Sequence, residues 1–250
     1  MTVSIQPLGC GTLSASRSMF EHDGGEDQIT IPVPSWLIRH DRGTMLFDTG
    51  MPTALAAPGP LLDTVSLFFG VGLDESELVG ARLRVAGVDP DDVDLVVMSH
   101  LHFDHTGGLD QLPNARLVIQ SDEWAAGMDD DLAAANSLQR DLFDHGHDRL
   151  EVDGEHDVFG DGLVVCMPTP GHTPGHQSLR VRLAEREVVL CGDCAYFEAT
   201  LDGGPLPGIG FDHAQQEASL DRLRGLRTAG ALVIPGHDPE VFASLPAMLV

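Results

Sequence analysis

Residues 99–108 read Ser-His-Leu-His-Phe-Asp-His-Thr-Gly-Gly, which places the imidazoles of His100, His102 and His105 and the carboxylate of Asp104 within six positions. Imidazole nitrogen and carboxylate oxygen are the donors that zinc and other borderline divalent cations take. A lone histidine is usually a surface or core residue, but four donors in this order read as a metal site. A site for two ions needs more donors than one motif supplies. Three further stretches offer them: Thr169-Pro170-Gly171-His172-Thr173-Pro174-Gly175-His176, Gly192-Asp193 and Gly236-His237-Asp238.

Each of these donors follows a short apolar run of the kind that forms a buried strand. Val93–Ser99 precedes the first motif, Leu163–Met167 the second, Glu187–Gly192 the third and Ala231–Pro235 the fourth. Loops at the C-terminal ends of strands are where α/β enzymes gather their chemistry. Further strands are expected at Ser35–His40, Thr44–Asp48, Arg116–Gln120 and Gln177–Leu183. Helical periodicity appears over Glu75–Ala86, Asp122–Met128, Leu132–His145 and Asp212–Thr228, the last stopped by Gly230. Strands interspersed with helices indicate a layered α/β domain.

Two segments look like insertions on that frame. Pro52–Gly72 is apolar and broken by Pro and Gly, with Leu67-Phe68-Phe69 at its centre. It reads as a cover over a pocket, a contact with a second subunit, or an ordinary buried loop-helix. The region Asp129–Asp157 is very acidic and contains His145-Gly146-His147, but nothing strand-like positions that pair as ligands.

Composition narrows the function classes. The 250 residues carry 39 acidic against 14 basic side chains, a net charge of −25, and every basic residue is arginine. Such a surface repels phosphate backbones and anionic membranes, so no nucleic-acid or membrane partner is expected. The lysine-free, acid-rich balance fits either salt adaptation or a GC-rich genome. No apolar stretch is long enough to span a bilayer and no signal peptide is visible. Four cysteines (Cys10, Cys166, Cys191, Cys194) are too few for a disulfide scaffold, so a reduced cytoplasm is the expected compartment. Cys191-Gly192-Asp193-Cys194 has redox-motif spacing, yet it straddles a metal-ligand candidate at a strand end and reads better as two buried inert thiols.

The set His-x-His-x-Asp-His, Gly-His-Thr-Pro-Gly-His, Gly-Asp and Gly-His-Asp resembles the metallo-β-lactamase superfamily over nearly the whole chain, from Met45-Leu46-Phe47-Asp48-Thr49-Gly50 to His237. Within it, the chain is most similar to the N-acyl-homoserine lactonases, on His100–His105, Gly171–Leu179, Asp193-Cys194-Ala195-Tyr196 and Gly236-His237-Asp238. The resemblance implies an αββα sandwich, two mixed sheets flanked by helices, with residues 1–250 as one hydrolase domain. It implies two divalent ions, zinc first: one held by His100, His102 and His172, one by Asp104, His105 and His237, with Asp193 bridging. His176 falls outside that list and is expected to support the loop or to orient a ligand through its ring N–H; Asp48 is either an acceptor behind a ligand or a plain turn residue.

The implied reaction is lactone opening by attack of a metal-bridging hydroxide on the ester carbonyl. No Gly-x-Ser-x-Gly nucleophile elbow is present to compete. Tyr196, the sole tyrosine, is assigned by the resemblance as donor to the developing oxyanion, against the plainer reading of a core tyrosine. Asp104 doubles as ligand and acid for the leaving alkoxide. Phe103 and Leu67-Phe68-Phe69 are candidates to line an acyl pocket, and a homodimer is expected. The competing readings are another lactone or ester, a glyoxalase II-like thioesterase, and a mononuclear-iron persulfide dioxygenase.

Overall fold

The computed structural model describes residues Val3–Val250. Among these described residues, twelve strands make two sheets: β1 (Val3–Ser16), β2 (Gln28–His40), β3 (Gly43–Phe47), β4 (Gly70–Gly72), β5 (Leu95–Val97), β6 (Arg116–Gln120), β7 (Arg149–Val152), β8 (His156–Asp157), β9 (Val164–Pro168), β10 (Gln177–Arg182), β11 (Glu187–Leu190) and β12 (Leu232–Ile234). One sheet runs β4-β1-β2-β3-β5-β6-β7 and the other β12-β11-β10-β9-β8. Both are mixed, with β3-β5-β6-β7 and β11-β12 parallel and the remaining pairs antiparallel.

Alternation along the strands decides the layering. Ile5, Trp36, Ile38, Met45, Phe47 and Val97 of the larger sheet meet Cys166, Leu179, Val181, Val188 and Ile234 of the smaller in one buried cluster. The outer face of the larger sheet (Leu37, Leu46, Val96, Leu117) packs under Leu83 and Trp124 of the helices Val79–Val85 and Ser121–Met128. Met167 and Val189 on the far face of the smaller sheet pack under Leu220 and Leu223 of the helix His213–Thr228. The order is helix, sheet, sheet, helix, as the resemblance implies.

Several elements differ from the sequence expectation. β1 carries no clear strand signal in the sequence, because Ser4, Gln6, Gly9, Gly11, Thr12 and Ser14 dilute its apolar alternation, and β2 starts seven residues earlier than its apolar run. The register of β1 against β2 shifts between Gly9 and Thr12, a bulge at which Gly11 takes φ 97°. Pro32 and Pro34 lie in the half of β2 that pairs with β1 alone, where a missing N–H costs no ladder bond on the open side.

The helix expected over Leu132–His145 is instead Asp130–Ala135. Asp129 caps its start by accepting Asp131 N–H and Leu132 N–H, and Leu138 N–H returns to the Ala133 carbonyl past Ser137 at φ 57°. That is a helix stop. Glu75–Ala86 likewise splits into a 3-10 turn at Glu75–Glu77, capped by Asp74, and the helix Val79–Val85.

The Pro52–Gly72 segment folds as a 3-10 turn, a helix (Pro60–Val65) and edge strand β4. Its Leu55 and Val65 are buried with Leu13, Phe20, Ile31 and Tyr196, so the segment roofs a cavity. Among the described residues no helix is long and apolar enough to cross a membrane.

Candidate metal centre

All four ligand-bearing loops leave strand ends at the same rim of the sandwich: after β5, β9, β11 and β12. His100, His102, His105, His172, His237, Asp104 and Asp193 are all buried. His100 Nε2 lies 2.9 Å from His102 Nδ1, and His172 Nε2 lies 3.0 Å from the same atom. Asp193 turns its two oxygens to different groups. Oδ2 stands 3.2 Å from His172 Nε2 and 3.7 Å from His100 Nε2, while Oδ1 stands 3.0 Å from His237 Nε2 and 3.2 Å from His105 Nε2. Asp104 Oδ2 lies 3.7 Å from His105 Nε2. The donors thus form two groups, His100, His102, His172 and Asp193 on one side and Asp104, His105 and His237 on the other.

Outer partners fix which nitrogen of each ring carries its proton. His102 Nε2 meets the Asn136 carbonyl at 2.9 Å, His172 Nδ1 the Ile209 carbonyl at 3.0 Å and His237 Nδ1 the Pro32 carbonyl at 2.8 Å. A carbonyl only accepts, so these nitrogens donate. His105 Nδ1 donates to Asp48 Oδ2 at 2.8 Å. Ser99 Oγ gives its single proton to Asp48 Oδ2, so it accepts from His100 Nδ1 at 2.9 Å. Every ring therefore turns a lone pair inward.

Inward lone pairs facing each other and a carboxylate repel unless a cation lies between them. His105 Nε2 is buried without a hydrogen-bond partner, although Asp193 Oδ1 is beside it. Donors of a tetrahedral ion with bonds of about 2.0–2.1 Å sit about 3.3 Å apart, close to the 2.9–3.7 Å spacings of the first group. The residues fit two divalent cations sharing one carboxylate. The electrostatics divide the rings by group. Burial depresses His100 well below the ordinary imidazole range and His102 to about 4, keeping both neutral. Burial also opposes charge on His105 and His237, yet Asp193 and the neighbouring carboxylates outweigh it and raise both. Burial pushes Asp193 up, but the surrounding imidazoles reverse that and hold it well below the carboxylate range.

His176 stays outside both groups. Its Nε2 accepts the Asp193 N–H, the supporting role expected of it. Asp48 is both acceptor and turn residue: its carboxylate takes the Ser99 N–H at 2.7 Å as well as His105, from a backbone at φ 60°. His145 and His147 join neither donor group, and His147 Nε2 is occupied by the Leu112 carbonyl at 3.0 Å.

Glu123 is the residue that sequence reasoning passed over. It is fully buried; Oε1 accepts Leu101 N–H at 3.0 Å, and Oε2 accepts Thr173 Oγ–H at 2.7 Å and Gly175 N–H at 2.9 Å. Acid in the first turn of a surface helix is common, so its type carried no signal. Asn136, Ile209 and Pro32 were equally silent, since they act through main-chain oxygens.

The donors open onto a cavity of about 400 Å³. Leu13, Phe20, Ile31, Val65, Phe69 and Phe103 give it an apolar wall, and Asp104, Asp193, His237 and Tyr196 form its floor. Phe68 also lines it at the mouth, 63% exposed, whereas Leu67, 77% exposed just past the end of the helix Pro60–Val65, is not among the lining residues. The Tyr196 ring packs 5.0 Å from that of His237 and 5.8 Å from that of His172. Burial and then the charges of Asp193 and Asp104 push its phenol well up, so it keeps its proton.

Fold and donor set together define a class, and the profile of the metallo-beta-lactamase superfamily matches residues 30–237. The chain belongs to that superfamily. Among curated relatives it is 34% identical to the N-acyl homoserine lactonase AttM of Azorhizobium caulinodans, over 97% of this chain and 95% of that one. It is 28% identical to the N-acyl homoserine lactonase AiiA of Bacillus thuringiensis subsp. kurstaki, over 91% and 92%. A solved N-acyl homoserine lactone hydrolase with the product N-hexanoyl-L-homoserine at its catalytic metal centre superposes with TM-score 0.87, at 26% identity and 98% coverage of both chains. The dizinc quorum-quenching lactonase AidC shares the fold, with TM-score 0.73 at 19% identity over 98% of this chain and 89% of that one.

Proposed function

We propose that residues 1–250 act as one hydrolase domain that opens the lactone ring of N-acyl-homoserine lactones. The observation that carries this reading is the split of the Asp193 oxygens between two donor groups at the floor of an apolar cavity. His100, His102 and His172 would hold one divalent cation and Asp104, His105 and His237 the other, with Asp193 near both; zinc suits this nitrogen-rich set. Bound there, the cations supply ionisation of water near neutral pH and polarisation of an acyl carbonyl.

The chain's own groups do the rest. The apolar wall takes the acyl chain and excludes water from the ester. Tyr196, protonated, donates to the carbonyl oxygen as it gains charge, a contact worth several kcal/mol in a desolvated site. Asp104, on the cavity floor, takes the proton that the attacking water gives up and passes it to the ring oxygen as it leaves. Water's hydroxyl has joined the acyl carbon and its other proton ends on the alcohol, giving the N-acyl-homoserine. The four free, buried cysteines fit a reduced cytoplasm, opening a lactone signal would silence it, and exposed Leu67 and Phe68 offer an apolar surface for a homodimer.

A glutathione thioester is the less favoured substrate, because its carboxylates need cationic partners and no arginine is among the residues lining the cavity. The test is a pH-stat panel of acyl-homoserine lactones of several chain lengths, run with metal quantification on the same preparation. Ring opening with two ions per chain, matching the two donor groups, is the expected result. Thioester turnover without any ring opening, or a single tightly held iron, overturns it.

A further inference from the structure

Resting on the two-cation reading above, the geometry points to Glu123 as a positioning residue that sets how tightly the first cation, the one at His100, His102 and His172, is held. Its carboxylate is a cross-brace between two loops that come from different sheets. Leu101, whose N–H it accepts at 3.0 Å, lies between His100 and His102 on the loop after β5. Thr173, whose hydroxyl it accepts at 2.7 Å, follows His172 on the loop after β9, and Gly175 N–H at 2.9 Å completes the hold. All three imidazoles of the first group are one residue away from an atom bound to Glu123.

Gly175 makes the approach feasible, since a Cβ at that position would collide with the Glu123 backbone. The three donors are uncharged, so the hold consists of directed hydrogen bonds to a buried carboxylate, each of the stronger, charge-assisted kind. The second group is held differently. His105 leans on Asp48 and His237 on the Pro32 carbonyl. His100 shares Asp48 through Ser99. The spacing between His102 Nδ1 and His172 Nε2 is the quantity that Glu123 fixes, because these rings come from the two braced loops.

The test uses Glu123→Gln and Thr173→Val, each prepared zinc-loaded beside the wild type. Glutamine keeps the shape but has one acceptor oxygen, so one loop then faces an amide donor. Zinc affinity is read by competition with a chelator, and occupancy at each position by anomalous scattering from crystals. In Glu123→Gln the ion at His100, His102 and His172 is expected to bind about 10–100-fold more weakly, while the ion at Asp104, His105 and His237 stays within about twofold. Thr173→Val, which leaves two of the three bonds, should weaken the same position by a smaller factor. If Glu123→Gln does not fold, as judged by circular dichroism of the metal-free protein, Thr173→Val alone decides. Equal weakening of both ions, or no change in either, overturns the assignment. Lactone turnover plays no part in the readout, so a failed lactonase reading would leave this result standing.

Discussion

His176 Nε2 accepts the backbone N–H of Asp193 at 3.0 Å, while its Nδ1 points at the Thr169 carbonyl, also at 3.0 Å. One neutral imidazole thus fastens the main chain of Asp193 to the loop that carries His172. A histidine four residues from a ligand candidate is itself part of the frame.

The first prediction concerns that ring and acid. Burial, followed by the neighbouring imidazole of His172, drives His176 from the ordinary 6.5 down to about 3. Its folded value lies below its unfolded one, so its contribution to stability is complete above about pH 6.5 and is lost as pH falls toward 3. Urea unfolding of metal-free wild type and His176→Gln, run from about pH 7 to about pH 4, should show the wild-type advantage shrinking on acidification. A constant advantage across that range would count against it.

Tyr196 is predicted to act on the transition state and not on the metal. Tyr196→Phe should lower kcat/KM for a lactone roughly ten- to a thousand-fold with unchanged ion content. Unchanged turnover would return Tyr196 to a packing role beside Phe20 and His237.

Phe68 and Leu67 are adjacent in sequence and opposite in consequence. Phe68→Ala should reduce kcat/KM about three- to tenfold for long-chain lactones and hardly at all for short ones, since it removes apolar wall at the cavity mouth. Leu67→Ala, exposed and off the wall, should leave both unchanged. An equal loss for Leu67→Ala would mean the segment closes over bound substrate differently.

The four cysteines should be chemically silent. Burial pushes Cys10 and Cys166 up to about 12 and raises Cys191 and Cys194 as well. Thiolate is the reactive form, so maleimide at neutral pH should label none of the folded protein's thiols and all four after denaturation. Rapid labelling of Cys194 in the native state would reopen a redox role.

The metal donors were legible in the sequence because their types are rare, their spacing is tight, and each follows an apolar strand run. β6 and the helix His213–Thr228 were readable for a similar reason: an unbroken apolar run in one, a cap at Asp212 and helical period in the other. β1 was hidden by its glycines and hydroxyl residues, and the early half of β2 by Pro32 and Pro34, whose positions are tolerated only through a bulge and a single-sided pairing. The stop at Asn136-Ser137 was hidden too, since a left-handed serine has no mark in the sequence. Leu67 was grouped with Phe68 and Phe69 because adjacency in the chain says nothing about which side of a turn faces a cavity.

Three of the metal-facing rings take their aim from peptide oxygens, at Asn136, Ile209 and Pro32. Any amino acid provides that oxygen. Ile209 also lines the cavity, so exchange at this position would alter what the compartment admits while the ring it steadies keeps its direction. Substrate range and metal geometry are thereby uncoupled within a single residue, which lets inherited variation explore new esters without dismantling the centre that hydrolyses them.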